Sequence, residues 1–183
     1  MPLYHFSEDP TIEVFVPRPP LAHPEMEPLV WAIDEWHSPL YFVPRDCPRV
    51  CFWPLETTTP ADLERYFATV SDRMVVAIEA RWLARLRATA LYRYVLPDGP
   101  FESLHDAGMF VSRQTVTPLR VEPLGDLLDR FVEARVELRV CHSIAALGRA
   151  VAASTLHYSL IRMRNAWDWT GPAGGPALPR AGT

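Results

Sequence analysis

Lysine is absent from this chain of 183 residues; all 18 basic side chains are arginine. That absence excludes a Walker A lysine, a Schiff-base lysine for pyridoxal phosphate and the ATP-anchoring lysine of protein kinases. It accompanies a composition rich in Arg, Ala and Pro with a single asparagine, Asn165. No G-x-G-x-x-G motif occurs, which argues against a doubly wound dinucleotide-binding fold. No apolar run approaches the roughly 18 residues that a membrane span needs. The N-terminus has neither the basic stretch nor the apolar core of a signal peptide, so the expected location is the cytoplasm, with no membrane partner. The cysteines number only three, Cys47, Cys51 and Cys141. An odd count in a cytoplasmic chain speaks against a disulfide framework. Their spacing lacks the paired C-x-x-C of a zinc site, so they read as buried thiols and no metal is expected.

What is present is a globular composition. The chain is long enough to bury about 70% of its unfolded surface and needs no covalent staple. Its net charge of −4 is not that of a nucleic-acid-binding domain. We expect one α+β domain over residues 1–166 and a disordered Gly/Pro/Ala tail over 167–183.

Prolines punctuate the first third, where 12 of the 19 lie within 60 residues and long helices are excluded. Leu3 to Phe6 reads as a strand, followed by an irregular connection through Pro17–Pro20 to Pro28. Leu29 to Ile33 reads as a second strand, and Asp34 as the cap of a short helix over Glu35 to Phe42. Val50 to Trp53 is a third strand. Thr59-Pro60 opens a helix to about Val70, with Thr59 at the N-cap and Pro60 at the first helical position. Arg73 to Glu79 is a strand, Arg81 to Arg87 a turn or two of helix, and Thr89 to Val95 a strand stopped by Pro97-Asp98-Gly99-Pro100. Met109 to Val116 is a strand, Asp126 to Ala134 a helix, and Glu137 to Val140 a strand. An Ala-rich helix capped by Ser143 follows, and the alternation from His157 to Met163 reads as the last strand. Strands outnumber helices without a regular βαβ order, which predicts α+β with a mixed or split sheet flanked by short helices.

Three segments carry a resemblance. Tyr4-His5-Phe6-Ser7 resembles the histidine-containing first motif of the histidine–tyrosine branch of ADP-ribosyltransferases, a fold that also includes the RNA 2′-phosphotransferases. Trp31 to Tyr41 resembles the strand-then-helix second motif, and Met109 to Pro118 the late strand of the third. The resemblance implies an ADP-ribosyltransferase-like fold that binds NAD or a related nucleotide. It implies that His5 and Ser7 hold a ribose and that Tyr41 covers the nicotinamide. Gln114 stands where a transferring enzyme carries glutamate, and a glutamine is neither a base nor a negative charge. Arginines would hold the phosphates: Arg45, Arg113, Arg162 and Arg164 head the candidates, with Arg18 and Arg93 also near strand ends. Arg162 and Arg164 share one strand face by the period of two, which suits phosphate. The chain up to Asn165 also resembles an uncharacterised bacterial protein family of similar length.

Two function classes follow. One is an ADP-ribosyl- or phosphoryl-transfer enzyme that uses NAD or an ADP-ribosylated or 2′-phosphorylated substrate and works by positioning. The other is a non-catalytic relative that binds a nucleotide or a protein. An unrelated small metabolic enzyme is the third, plainer possibility. His5, Tyr41 and at least one of Arg45, Arg113 or Arg162 are expected to converge on one pocket.

Overall fold

The computed structural model describes residues 2–19, 25 and 27–171. Parts of the connection between Pro17 and Pro28, and the tail from residue 172 onward, lie outside the described residues. The chain is α+β, with short helices and two sheets that belong to two compact units. Among the described residues, one unit is formed by those between 2 and 45 and by 89–125, the other by 46–88 and 126–171.

The first unit is a six-stranded antiparallel sheet. Its strands are β1 (Leu3–Ser7), β2 (Val30–Ile33), β5 (Tyr92–Leu96), β6 (Glu102–Ser103), β7 (Met109–Ser112) and β8 (Arg120–Pro123), in the order β6-β7-β2-β1-β5-β8. The apolar opening segment is thus central, not a frayed arm. Alternation along β1 sends Leu3, His5 and Ser7 to one face and Tyr4 and Phe6 to the other. Leu3 packs with Phe15, Val30, Ala32, Tyr94, Leu96 and Val116 in one core. β8 was not expected. It follows Pro118 and ends on Pro123, which pairs with Tyr92, and an edge strand tolerates a proline because one side of its backbone needs no partner.

The second unit is a four-stranded mixed sheet of β3 (Arg49–Trp53), β4 (Val75–Glu79), β9 (Glu137–Cys141) and β10 (His157–Ile161), ordered β10-β3-β4-β9. Every residue of β3 and β4 is buried, as strands covered on both faces require. β4 and β9 run parallel; the other neighbours are antiparallel. Helices α1 (Pro60–Phe67), α2 (Leu83–Ala88), α3 (Leu127–Glu133) and α4 (Ala145–Ala152) complete this unit. The Thr59 hydroxyl accepts the Asp62 amide, and the Asp126 carboxylate accepts the amides of Leu128 and Asp129. Each cap satisfies N–H groups that the helix itself leaves open.

Three local expectations are corrected. Asp34 does not begin an α-helix; a 3-10 turn covers Ser38–Tyr41, because Pro39 and Pro44 leave room for little more. The last strand ends at Ile161. Arg162 then takes a left-handed conformation (φ 55°) and Met163–Asn165 form a 3-10 turn, so Arg162 and Arg164 do not share a strand face. The ordered chain also runs past Ala166: Trp167 is hydrogen-bonded and Trp169 packs against the second core. No helix among the described residues is long and apolar enough to cross a membrane.

Candidate functional site

His5 marks a fork in the first sheet. β1 pairs with β5 at five consecutive positions, Leu3↔Leu96 through Ser7↔Tyr92. On its other side it pairs with β2 at Tyr4↔Ile33. One residue later the His5 Nδ1 lies 2.9 Å from the Trp31 carbonyl oxygen. A carbonyl only accepts, so Nδ1 carries the proton and, in the neutral ring, Nε2 is the acceptor. The imidazole takes a place that a backbone donor would hold in a continued ladder. The half-buried ring also packs on Phe15 at 4.7 Å. Burial lowers the His5 pKa, and the positive charge of Arg45 pushes it the same way, against the Trp31 bond. The ring is therefore neutral at pH 7. Ser7, two residues on and buried, accepts the Asp9 amide on its hydroxyl.

Tyr41 does not join this group. Its ring stacks on Phe6 at 6.2 Å and 3°, and its hydroxyl donates to the Met109 sulfur at 3.6 Å. Phe6 points away from His5 across β1, so the expected convergence of His5 and Tyr41 is corrected by the period of two. The Arg45 backbone amide donates to Glu8 at 2.9 Å. Arg113 is exposed and held by two carboxylates, Glu27 at 2.8 Å and Glu102 at 3.0 Å. A guanidinium already matched by two negative charges is a poor phosphate ligand. Gln114 is exposed just past β7, where its amide donates to the Ser112 hydroxyl at 3.1 Å and its carbonyl accepts from it. The strand expected to run to Val116 ends at Ser112 because that turn closes on itself. Arg162 and Arg164 belong to the second unit.

A group that the sequence reading passed over as a helix cap stands beside Gly108. The Asp34 carboxylate accepts the His37 amide at 2.7 Å and holds the His37 Nδ1 at 2.8 and 3.0 Å through its two oxygens. The Ser38 hydroxyl donates to the Asp34 carbonyl, and the Asp34 amide to the Gly108 carbonyl. Both side chains are 17% exposed. Left-handed backbone concentrates opposite them, at His105 (φ 53°), Ala107 (φ 45°) and Gly108 (φ 68°). A methyl group at Gly108 would overlap the His37 Nδ1 and stand 2.6 Å from the Asp34 Oδ2. Strain of this kind persists only where the surroundings enforce it. The spacing Asp-x-x-His was the available signal, but its partner Gly108 is far away in sequence.

In the second unit, burial pushes the Cys47 and Cys51 thiols up to about 12, which leaves them without nucleophilic character at neutral pH. No group of three or more His, Cys, Asp or Glu among the described residues could hold a metal ion. Glu79, fully buried at the end of β4, accepts Arg81 at 2.8 Å on one oxygen and the Trp167 amide at 2.7 Å on the other. Arg81 also reaches the Asn165 carbonyl.

No curated protein and no solved structure matches this chain. A family model does match, over residues 4–166, which takes in both sheets, the His5 fork and the Asp34–His37 pair. The chain belongs to that family, described as a family of unknown function (DUF6886).

Proposed function

We propose that this chain handles a nucleotide of the NAD type and holds its ribose at the fork between β1 and β2. The ADP-ribosyltransferase resemblance is, on this proposal, one of fold as well as of motif. The observation that carries it is the state of His5. A neutral imidazole with Nδ1–H fixed to the Trp31 carbonyl offers Nε2 as an acceptor for a ribose hydroxyl. Ser7 supplies a second hydroxyl on the same face of β1, and Arg45 supplies positive charge in the neighbourhood of His5. The acidic balance of the chain favours a small ligand over a nucleic acid.

A second reading, binding without chemistry, has its own support. Gln114 sits on an exposed turn and brings no charge to a developing cation, and Arg113 is neutralised by Glu27 and Glu102. A transferring protein of this kind would draw its proton chemistry from other residues.

Calorimetry and thermal melting with NAD, ADP-ribose and nucleoside monophosphates test the proposal. A ligand present at 100 times its Kd adds about 2.7 kcal/mol of stability. His5→Ala should weaken binding by about 5- to 150-fold through loss of one or two hydrogen bonds. No heat and no shift with any of these ligands would remove nucleotide binding, and equal affinity in His5→Ala would move the ligand away from the fork.

A further inference from the structure

We propose that β9 is the contact through which this chain pairs with a second copy of itself, edge to edge and antiparallel. β9 ends the second sheet; among the described residues no strand lies beyond it. The Glu137 amide donates to the Met74 carbonyl, and Glu137 stands opposite Val75 in the parallel ladder. Alternate residues send their amide and carbonyl to opposite sides of a strand. Glu137, Arg139 and Cys141 therefore direct theirs to β4, while Leu138 and Val140 direct theirs outward.

Open edges are ordinarily blunted. In the first sheet, β6 has only two residues and β8 ends on Pro123. β9 contains no proline, and its register with β4 runs unbroken from Val75↔Glu137 to Glu79↔Cys141. Apolar surface accompanies the open edge. Val140 is 42% exposed, and α3, which packs on β9, carries Val132 at 76%.

The charges select both partner and register. Glu137 and Arg139 are half-buried and bridge each other at 2.8 Å along one face of the strand. Outward backbone can bond only to outward backbone, so a two-fold axis must fall on a residue of β9 and not between two. With the axis at Leu138, Glu137 stands opposite Arg139 of the second copy, and Arg139 opposite its Glu137. These are the close positions that exchange no backbone bonds, where opposite charges stabilise. Leu138 meets Leu138 of the second copy, and the exposed Val140 is placed opposite Val136. With the axis at Glu137 or Arg139, like charges stand directly opposite, which destabilises. β10, the other edge of this sheet, has no acidic or arginine side chain to set a register. A strand whose charges complement themselves under a two-fold axis fits a second copy better than an unrelated peptide. One edge pair is a small contact, so the dimer is weak and reversible. None of this depends on what the first sheet binds.

Sedimentation of the full chain from micromolar to millimolar concentration should show a monomer–dimer equilibrium. Val140→Pro removes an outward amide that β4 does not use, so it should keep the fold and lose the dimer; circular dichroism and urea unfolding check the fold. Glu137→Arg alone should raise the dimer Kd by about tenfold or more, because like charges then face each other twice across the axis. Arg139→Glu alone should do the same. An equimolar mixture of these two variants should pair at least as tightly as wild type, since every cross-strand pair is then of opposite charge. Mixing does not repair the ion pair lost within each chain, so the rescue reads the contact between copies. A wild-type chain that stays monomeric throughout overturns the proposal. So does a dimer whose Kd is unchanged in the charge variants or in folded Val140→Pro, because the copies then meet elsewhere. Weakening without rescue in the mixture places the effect inside each chain and overturns it too. Should Val140→Pro fail to fold, the charge variants decide alone.

Discussion

His5 and Tyr41 lie on opposite faces of one strand: the imidazole packs on Phe15, while the phenol stacks on Phe6, the very next residue of β1. The two positions therefore separate in their effects. Tyr41→Ala removes a half-buried ring from Phe6 and Met109 and should cost about 2–3 kcal/mol of stability. It should leave nucleotide affinity within about twofold, because nothing at the fork moves. His5→Ala should do the reverse, changing affinity more than stability. Chemical denaturation beside calorimetry on the two variants reads this directly, and a large affinity loss in Tyr41→Ala would place the phenol at the ligand.

The protonation of His5 gives a pH dependence with a defined sign. Its pKa in the folded protein is lowered from the ordinary 6.5, by burial first and by the Arg45 charge as well. Between the lowered value and 6.5 the unfolded chain binds more protons than the native one, so stability rises with pH in that interval. The contribution is complete above pH 6.5 and is lost as pH falls through the folded value. Thermal melts from pH 7.5 down to 5 should show a decline that His5→Gln removes in part, since an amide has no proton to gain. Identical pH profiles for the two proteins would mean that His5 titrates normally.

Gly108 is the residue on which the Asp34–His37 geometry depends. Gly108→Ala places a side chain in left-handed backbone and drives it into the His37 ring. The backbone term alone is about 1 kcal/mol, and displacing the pair adds to it, so a loss of about 2–4 kcal/mol is expected. Gly99, which has nothing within 4 Å of an added Cβ and no left-handed φ, is the control: Gly99→Ala should change stability by less than about 0.5 kcal/mol. Urea unfolding of the two variants compares them.

Local signals were readable in the sequence wherever the physics is local. Thr59-Pro60 and Asp126 announced their helices because a cap needs only the next three amides. The apolar run at Leu3 announced a buried strand because both its neighbours, β2 and β5, cover it. What stayed hidden depends on distant partners. Asp34 and His37 look like the start of a helix until Gly108 is seen opposite them. Arg113 looks like a free cation until Glu27 and Glu102 are placed beside it. The run from His157 to Met163 alternates as a strand throughout, yet the backbone turns left-handed at Arg162, which no pattern of polar and apolar residues records. Trp167 read as the start of a tail, because its anchor is Glu79, 88 positions earlier.

That anchor supplies the last test. Glu79 is fully buried and Arg81 is about half exposed, so the two halves of the ion pair are not equivalent. Removing the arginine as Arg81→Met leaves a buried carboxylate whose remaining hydrogen-bond partner among the described residues is the Trp167 amide, and should cost about 3 kcal/mol or more. Glu79→Gln keeps an oxygen for that amide and frees Arg81 toward solvent, and should cost less, about 1–2 kcal/mol. In the double variant Arg81→Met/Glu79→Gln the uncompensated charge is gone. It should therefore be more stable than Arg81→Met alone, although it carries one more substitution. The sign of that difference is the measurement, read in a double-mutant cycle by chemical denaturation. Simple additivity of the two substitutions would show that the carboxylate is served by some group other than Arg81.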